Sequence, residues 1–117
     1  MSTKQGIQLM AFLLCIVAAS SAEAAWISLT SPIQQVVTLE DRLMIYLVHP
    51  PKSTCPYNDA FGLSPEGMPS TEARRNILAV VLIAQVTGKA LTVWYDDTRC
   101  DPLLQRPTTG QFHLVSD

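Results

Sequence analysis

The first 25 residues constrain this chain more than any others. A short polar stretch carrying Lys4 leads into an apolar run from Leu9 to Ala19, and small residues follow from Ser20 to Ala25. That order is the one a secretory signal peptide needs, with cleavage expected after Ala24 or Ala25 at the small-residue pattern Ala22-Glu23-Ala24. The apolar run is shorter than the ~20 residues of a membrane-spanning helix. Cys15 follows Leu13-Leu14, where a lipid-acceptor cysteine would require a small residue, so it reads as one more apolar side chain of the run. The expected division is therefore a signal peptide over 1–24 and one domain over 25–117. The protein would be exported through the inner membrane, to the periplasm or the medium, with no membrane span after cleavage.

Removing the signal from the 117-residue chain leaves roughly 92 residues, enough for one modest core and too few for two domains. The hydrophobic fraction of 48% is raised by the removed segment and does not argue for a membrane protein. Lys4 and Glu23 both leave and cancel, so the mature part keeps the formal charge of -2 of the whole chain. With Arg and Lys scattered, no basic patch is available to neutralise phosphates, and a nucleic-acid partner is not expected.

Export also sets the cysteine arithmetic. Of three cysteines only Cys55 and Cys100 survive processing, and two cysteines in a small exported domain are expected to pair. The chain-entropy model gives a cross-link over a loop of this length about 4 kcal/mol. A metal pair or a reactive thiol is the alternative; only His49 and His113 could join the sulfurs, and no CxxC spacing occurs.

Along the mature part, Ile33 to Leu39 and Leu43 to Val48 are β-branched or aliphatic runs parted by Glu40-Asp41-Arg42, which predicts a β-hairpin. Trp26 to Leu29 would extend the first strand backwards, with a bulge or break at Ser31-Pro32, because proline cannot donate to a ladder. The proline-rich stretch from His49 to Asp59 predicts a surface loop, and a short strand is expected at Ala60 to Leu63. Ser70-Thr71-Glu72 carries an N-cap hydroxyl and an acidic first turn, predicting a helix over about 71–86 that Thr87-Gly88 terminates. Apolar residues on more than one face of it predict a helix buried over most of its surface. Strands follow at Ala90 to Tyr95 and Gln111 to Val115. Strands on both sides of one helix predict a mainly β, α+β module or a small closed barrel plugged by the helix.

The stretch from Thr71 to Asp97, above all Ile83-Ala84-Gln85-Val86-Thr87-Gly88-Lys89-Ala90-Leu91-Thr92-Val93-Trp94-Tyr95-Asp96-Asp97 followed by Cys100, resembles small exported bacterial proteins similar to the B subunit of subtilase cytotoxin. Cys55-Pro56-Tyr57-Asn58 and Phe61-Gly62-Leu63 also fit that pattern. The resemblance covers most of the mature part, and its motifs are structural. It implies a five-stranded OB-like barrel with one buried helix and a cysteine bridge. It also implies pentameric rings that bind cell-surface glycans and carry a catalytic A subunit. No sugar-contacting residue of that subunit is carried onto a position here.

Catalysis would need a nucleophile with a base, a carboxylate pair or a metal cluster. His49 lies in a proline-rich loop and His113 in a terminal strand. Asp96, Asp97 and Asp101 lack the spacing of a calcium loop and read as a solvated turn beside the disulfide. The chain is thus expected to be a binding module and not an enzyme, with no cofactor and no metal, and with a glycan or a protein as partner. Its alternative is a periplasmic structural or inhibitor-type domain. Trp94 and Tyr95 should face opposite sides of their strand, one in the core and one exposed to stack on a sugar or fill an interface. Arg74-Arg75 opens the helix against the dipole, so the pair meets a partner carboxylate or solvent.

Overall fold

The computed structural model describes residues 26–116. The expected signal peptide lies outside the described residues. Six strands and one helix follow in the order β1 (Trp26–Ser31), β2 (Ile33–Leu39), β3 (Arg42–Leu47), β4 (Phe61–Leu63), α1 (Thr71–Thr87), β5 (Leu91–Asp96) and β6 (Gln111–Leu114). They form two antiparallel three-stranded sheets, ordered β1-β5-β6 and β2-β3-β4. The described residues are therefore mainly β with one helix. Among the described residues no helix is long and apolar enough to cross a membrane.

The expected hairpin is β2–β3, turning at Glu40-Asp41 with Glu40 at φ 57°. The stretch before Pro32 does more than lengthen its first strand. At Ser31-Pro32 the chain changes sheets, so β1 pairs with β5 while β2 pairs with β3. Proline has no N–H to continue a ladder. Its carbonyl accepts from Val48 N at 3.0 Å, and the buried Ser31 Oγ accepts from His49 N at 2.9 Å, which binds the crossing point to the end of β3.

The closed barrel expected from the strand pattern is not formed by these hydrogen bonds. Among the described residues no ladder joins β4 to β6. The segment before β6 lies beside β4 instead: Gly62 N donates to Pro107 O at 3.0 Å, and Pro107 has no N–H to return. Cys100 and Pro107 form an isolated bridge, so residues 99–108 make a small hairpin in the seam.

Alternation sets the core. Leu43, Ile45 and Leu47 of β3, with Phe61 and Leu63 of β4, face Leu91, Val93 and Tyr95 of β5 and Phe112 of β6. Phe61 meets Tyr95 edge-on at 4.9 Å between ring centres and Phe112 at 5.8 Å, so one ring from the second sheet joins two from the first. The helix starts where its sequence signals put it: Ser70 Oγ accepts from Ala73 N at 3.1 Å, and Gly88, at φ 72°, ends it with its N–H on Ala84 O. It is not the largely buried helix expected. Only Ile77, Val81 and Ala84 are buried, whereas Leu82, Ile83 and Val86 are exposed. The two sheets already fill each other's inner faces, so the helix closes one side of the core with a single narrow stripe.

The loops are pinned at several points. Cys55 and Cys100 form the expected disulfide, with Cα atoms 5.6 Å apart. Tyr95 Oη accepts from Lys52 N and donates to Lys52 O, each at 3.0 Å. Arg106 grips Asp59 through Nε at 2.7 Å and Nη2 at 3.2 Å, and lies 4.8 Å over the Tyr57 ring. The deepest pin is Asp101, which is fully buried. Its carboxylate accepts from Ser64 N at 2.9 Å, Ser64 Oγ at 2.7 Å, Leu103 N at 3.0 Å and Leu104 N at 2.9 Å. Gly67 lies against the same carboxylate, which a Cβ there would strike.

Asp101→Asn keeps the side-chain size but puts an N–H2 where an acceptor is needed, and it should lower stability by about 3 kcal/mol in urea denaturation. The Asp59–Arg106 hydrogen bond holds the Asp59 carboxyl below its ordinary value. Because the folded pKa is the lower one, the pair stabilises above the ordinary carboxylate range and is lost as pH falls through the folded value. Asp59→Asn should flatten stability against pH across that acid window. With Asp59 half exposed, the loss at neutral pH should stay under about 1 kcal/mol.

Candidate functional site

Trp94 and Tyr95 separate as strand alternation requires: Tyr95 is 2% exposed in the core and Trp94 is 45% exposed on the outer face of the β1-β5-β6 sheet. The register shows what surrounds Trp94. Trp26 pairs with Asp96, Ser28 with Trp94 and Trp94 with Gln111, Thr30 with Thr92 and Thr92 with His113. Every second residue along each strand shares a face, so these eight side chains form one outer surface of three rows. Both tryptophans of the chain lie on it, diagonal to each other across β1 and β5.

The face is aromatic at one end and polar at the other. Thr30 and Thr92 hydroxyls are 2.8 Å apart, and His113 Nε2 is 3.3 Å from Gln111 Oε1. Asp96 Oδ1 accepts from Thr98 Oγ1 at 2.7 Å and Thr98 N at 2.8 Å. Those bonds hold the Asp96 carboxyl below its ordinary value, so it stays a charged acceptor into mildly acid conditions. Exposed indole rings with hydroxyl, amide, imidazole and carboxylate groups around them offer stacking area and hydrogen bonds on one sheet face.

The remaining sequence candidates do not gather around this face. His113 belongs to it, while His49 is exposed after β3, in the other sheet. The sulfurs of Cys55 and Cys100 are bonded to each other, which removes both the metal-pair and the reactive-thiol alternatives. Asp96 and Asp101 bind different partners, Thr98 and Ser64, so the acidic stretch does not converge. Among the described residues no group of three or more His, Cys, Asp or Glu could hold a metal ion. Asp101 is also a correction: it is buried and bonded, not part of a solvated turn. Asp before Pro102 is a visible turn signature, but nothing near it in sequence announces Ser64. Arg74 donates to Met68 O and, at 3.4 Å, to Thr71 Oγ1, whereas Arg75 is exposed.

Trp26 and the three-row face were not visible before pairing was known. The sequence places Trp26 in a backward extension of the hairpin's first strand, and nothing in it names β5 as the partner.

No known family model matches the chain, and neither a curated protein nor a solved structure does. The resemblance to the toxin B subunit therefore rests on the residues quoted for it.

If Trp94 serves a ligand more than the core, removing it should be cheap. Trp94→Ala should cost under about 1 kcal/mol, while Phe112→Ala, from the inner face of the same sheet, should cost about 3–5 kcal/mol. Thermal unfolding of the two variants beside the parent checks the contrast.

Proposed function

We propose that the protein is an exported, non-enzymatic binding module that recognises a glycan through the outer face of the β1-β5-β6 sheet. The observation that carries this reading is the exposure of both tryptophans on one outer strand surface rimmed by Ser28, Thr30, Thr92, Asp96, Gln111 and His113. A sugar ring has an apolar face to lay on an indole and hydroxyls to meet such a rim.

The OB-like barrel is part of the same proposal. Counted through Ser31-Pro32, β1 and β2 are one bent strand, which leaves five: the bent strand pairs with β3 and β5, β3 with β4, and β5 with β6. A partly open five-stranded barrel has room for the unpaired seam between β4 and β6. The resemblance to toxin B subunits supports the same arrangement, and with it a homo-pentamer that presents several copies of the face to a cell surface.

A second reading, a periplasmic structural or inhibitor-type domain with a protein partner, is favoured by the exposed helix residues Leu82, Ile83 and Val86, which suit an interface better than solvent. Light scattering on the purified exported protein and a glycan array separate the two. A stable pentamer that binds defined glycans, with binding lost in Trp94→Ala, is the expected result. A strict monomer with a blank array would leave the protein-partner reading.

A further inference from the structure

We propose that the cleft between the β2–β3 turn and the first turns of α1 is a second binding site, built for a small organic anion carrying one carboxylate, sulfate or phosphate group. The cleft has a volume of about 240 Å³, and Arg42 from the hairpin and Arg74 and Arg75 from the helix all line it. Three arginine residues from two elements thus line one cavity, and a guanidinium is a planar fork that matches the oxygens of such a group.

The state of these arginines sets the cleft apart. Arg106, elsewhere in the fold, is satisfied by Asp59 and Tyr57. Arg74 spends part of its donors on Met68 O and Thr71 Oγ1. Among the described residues, the side chains of Arg42 and Arg75 have neither a hydrogen bond nor an ion pair. Glu40 and Asp41 line the same cleft without pairing to them. Their two charges against three leave a small positive surplus among the lining residues, which suits one anionic group and works against a polyanion such as nucleic acid.

The uncharged lining defines the rest of the ligand. Thr71 adds a hydroxyl donor, and the buried Leu43 with the half-buried Leu78 supplies an apolar wall. An anion with a small apolar body therefore gains more than a bare inorganic ion, by burying that body against the leucines. The cleft lies on other elements than the tryptophan face, and this inference stands independently of glycan recognition there.

The test is a titration of ¹⁵N-labelled exported protein with benzoate, phenyl phosphate and phenyl sulfate, each at ionic strength held constant with sodium chloride. Saturable amide shifts confined to the β2–β3 turn and residues 71–78 are expected with at least one probe, and the tightest of the three identifies the anionic group. Arg42→Ala with Arg75→Ala should weaken that probe at least ~10-fold, while Arg99→Ala, an exposed arginine outside the cleft, leaves it unchanged. Should the double variant fail to fold, Arg75→Gln alone, at an exposed helix position, should still weaken binding. Shifts no larger than those of sodium chloride with all three probes, or binding unaltered in the arginine variants, would overturn the proposal.

Discussion

The crossing at Ser31-Pro32 is the constraint on which the rest of this structure depends. One run of chain serves two sheets only because Pro32 cannot continue the first ladder and Ser31, buried, ties the bend to His49 at the end of β3. With that bend in place, β1 lies beside β5, β2 lies beside β3, and the inner faces of the two sheets oppose each other. The rings of Phe61, Tyr95 and Phe112 then meet across the gap. The outer face of β1-β5-β6 is the other side of the same strands, so the packing that orders Tyr95 and Phe112 also orders Trp94 and Gln111.

The loops are fixed by polar and covalent ties rather than by apolar burial. The disulfide and the Tyr95 hydroxyl fasten the proline-rich loop to the end of β5, and Asp101 fastens the segment after Cys100 to the end of β4. Burying a carboxylate is costly unless its lone pairs are filled, and here four different N–H and O–H groups fill them. A domain this small has few apolar residues to spare for its loops. Burial in turn raises the Tyr95 phenol above its ordinary value, which keeps it protonated to donate to Lys52.

Much of the local structure was legible in the sequence, because short-range chemistry dictates it. Ser70 and Gly88 bracket the helix, Glu40-Asp41 turns the hairpin, and alternation at Val93-Trp94-Tyr95 assigns the two aromatic residues to opposite faces. Long-range placement was not legible. Nothing around Trp26 tells that its partner is Asp96, 70 positions away, and nothing around Asp101 tells that it bonds Ser64. The helix misled for a related reason: Leu82, Ile83 and Val86 are as apolar as Ile77 and Val81, and only the finished sheets decide which stripe is covered. The barrel expectation needed β4 and β6 to meet, and Pro107 occupies the place of that ladder.

The central claim, that ligand recognition belongs to the tryptophan face, can be read directly from tryptophan emission. The chain has two tryptophans, both on this face, so intrinsic fluorescence reports on no other surface. Titration with an array-positive glycan should shift or quench the emission saturably, and Trp94→Ala should abolish the binding. A glycan that binds by calorimetry while leaving both the emission and the affinity of the Trp94→Ala variant unchanged would contradict the account.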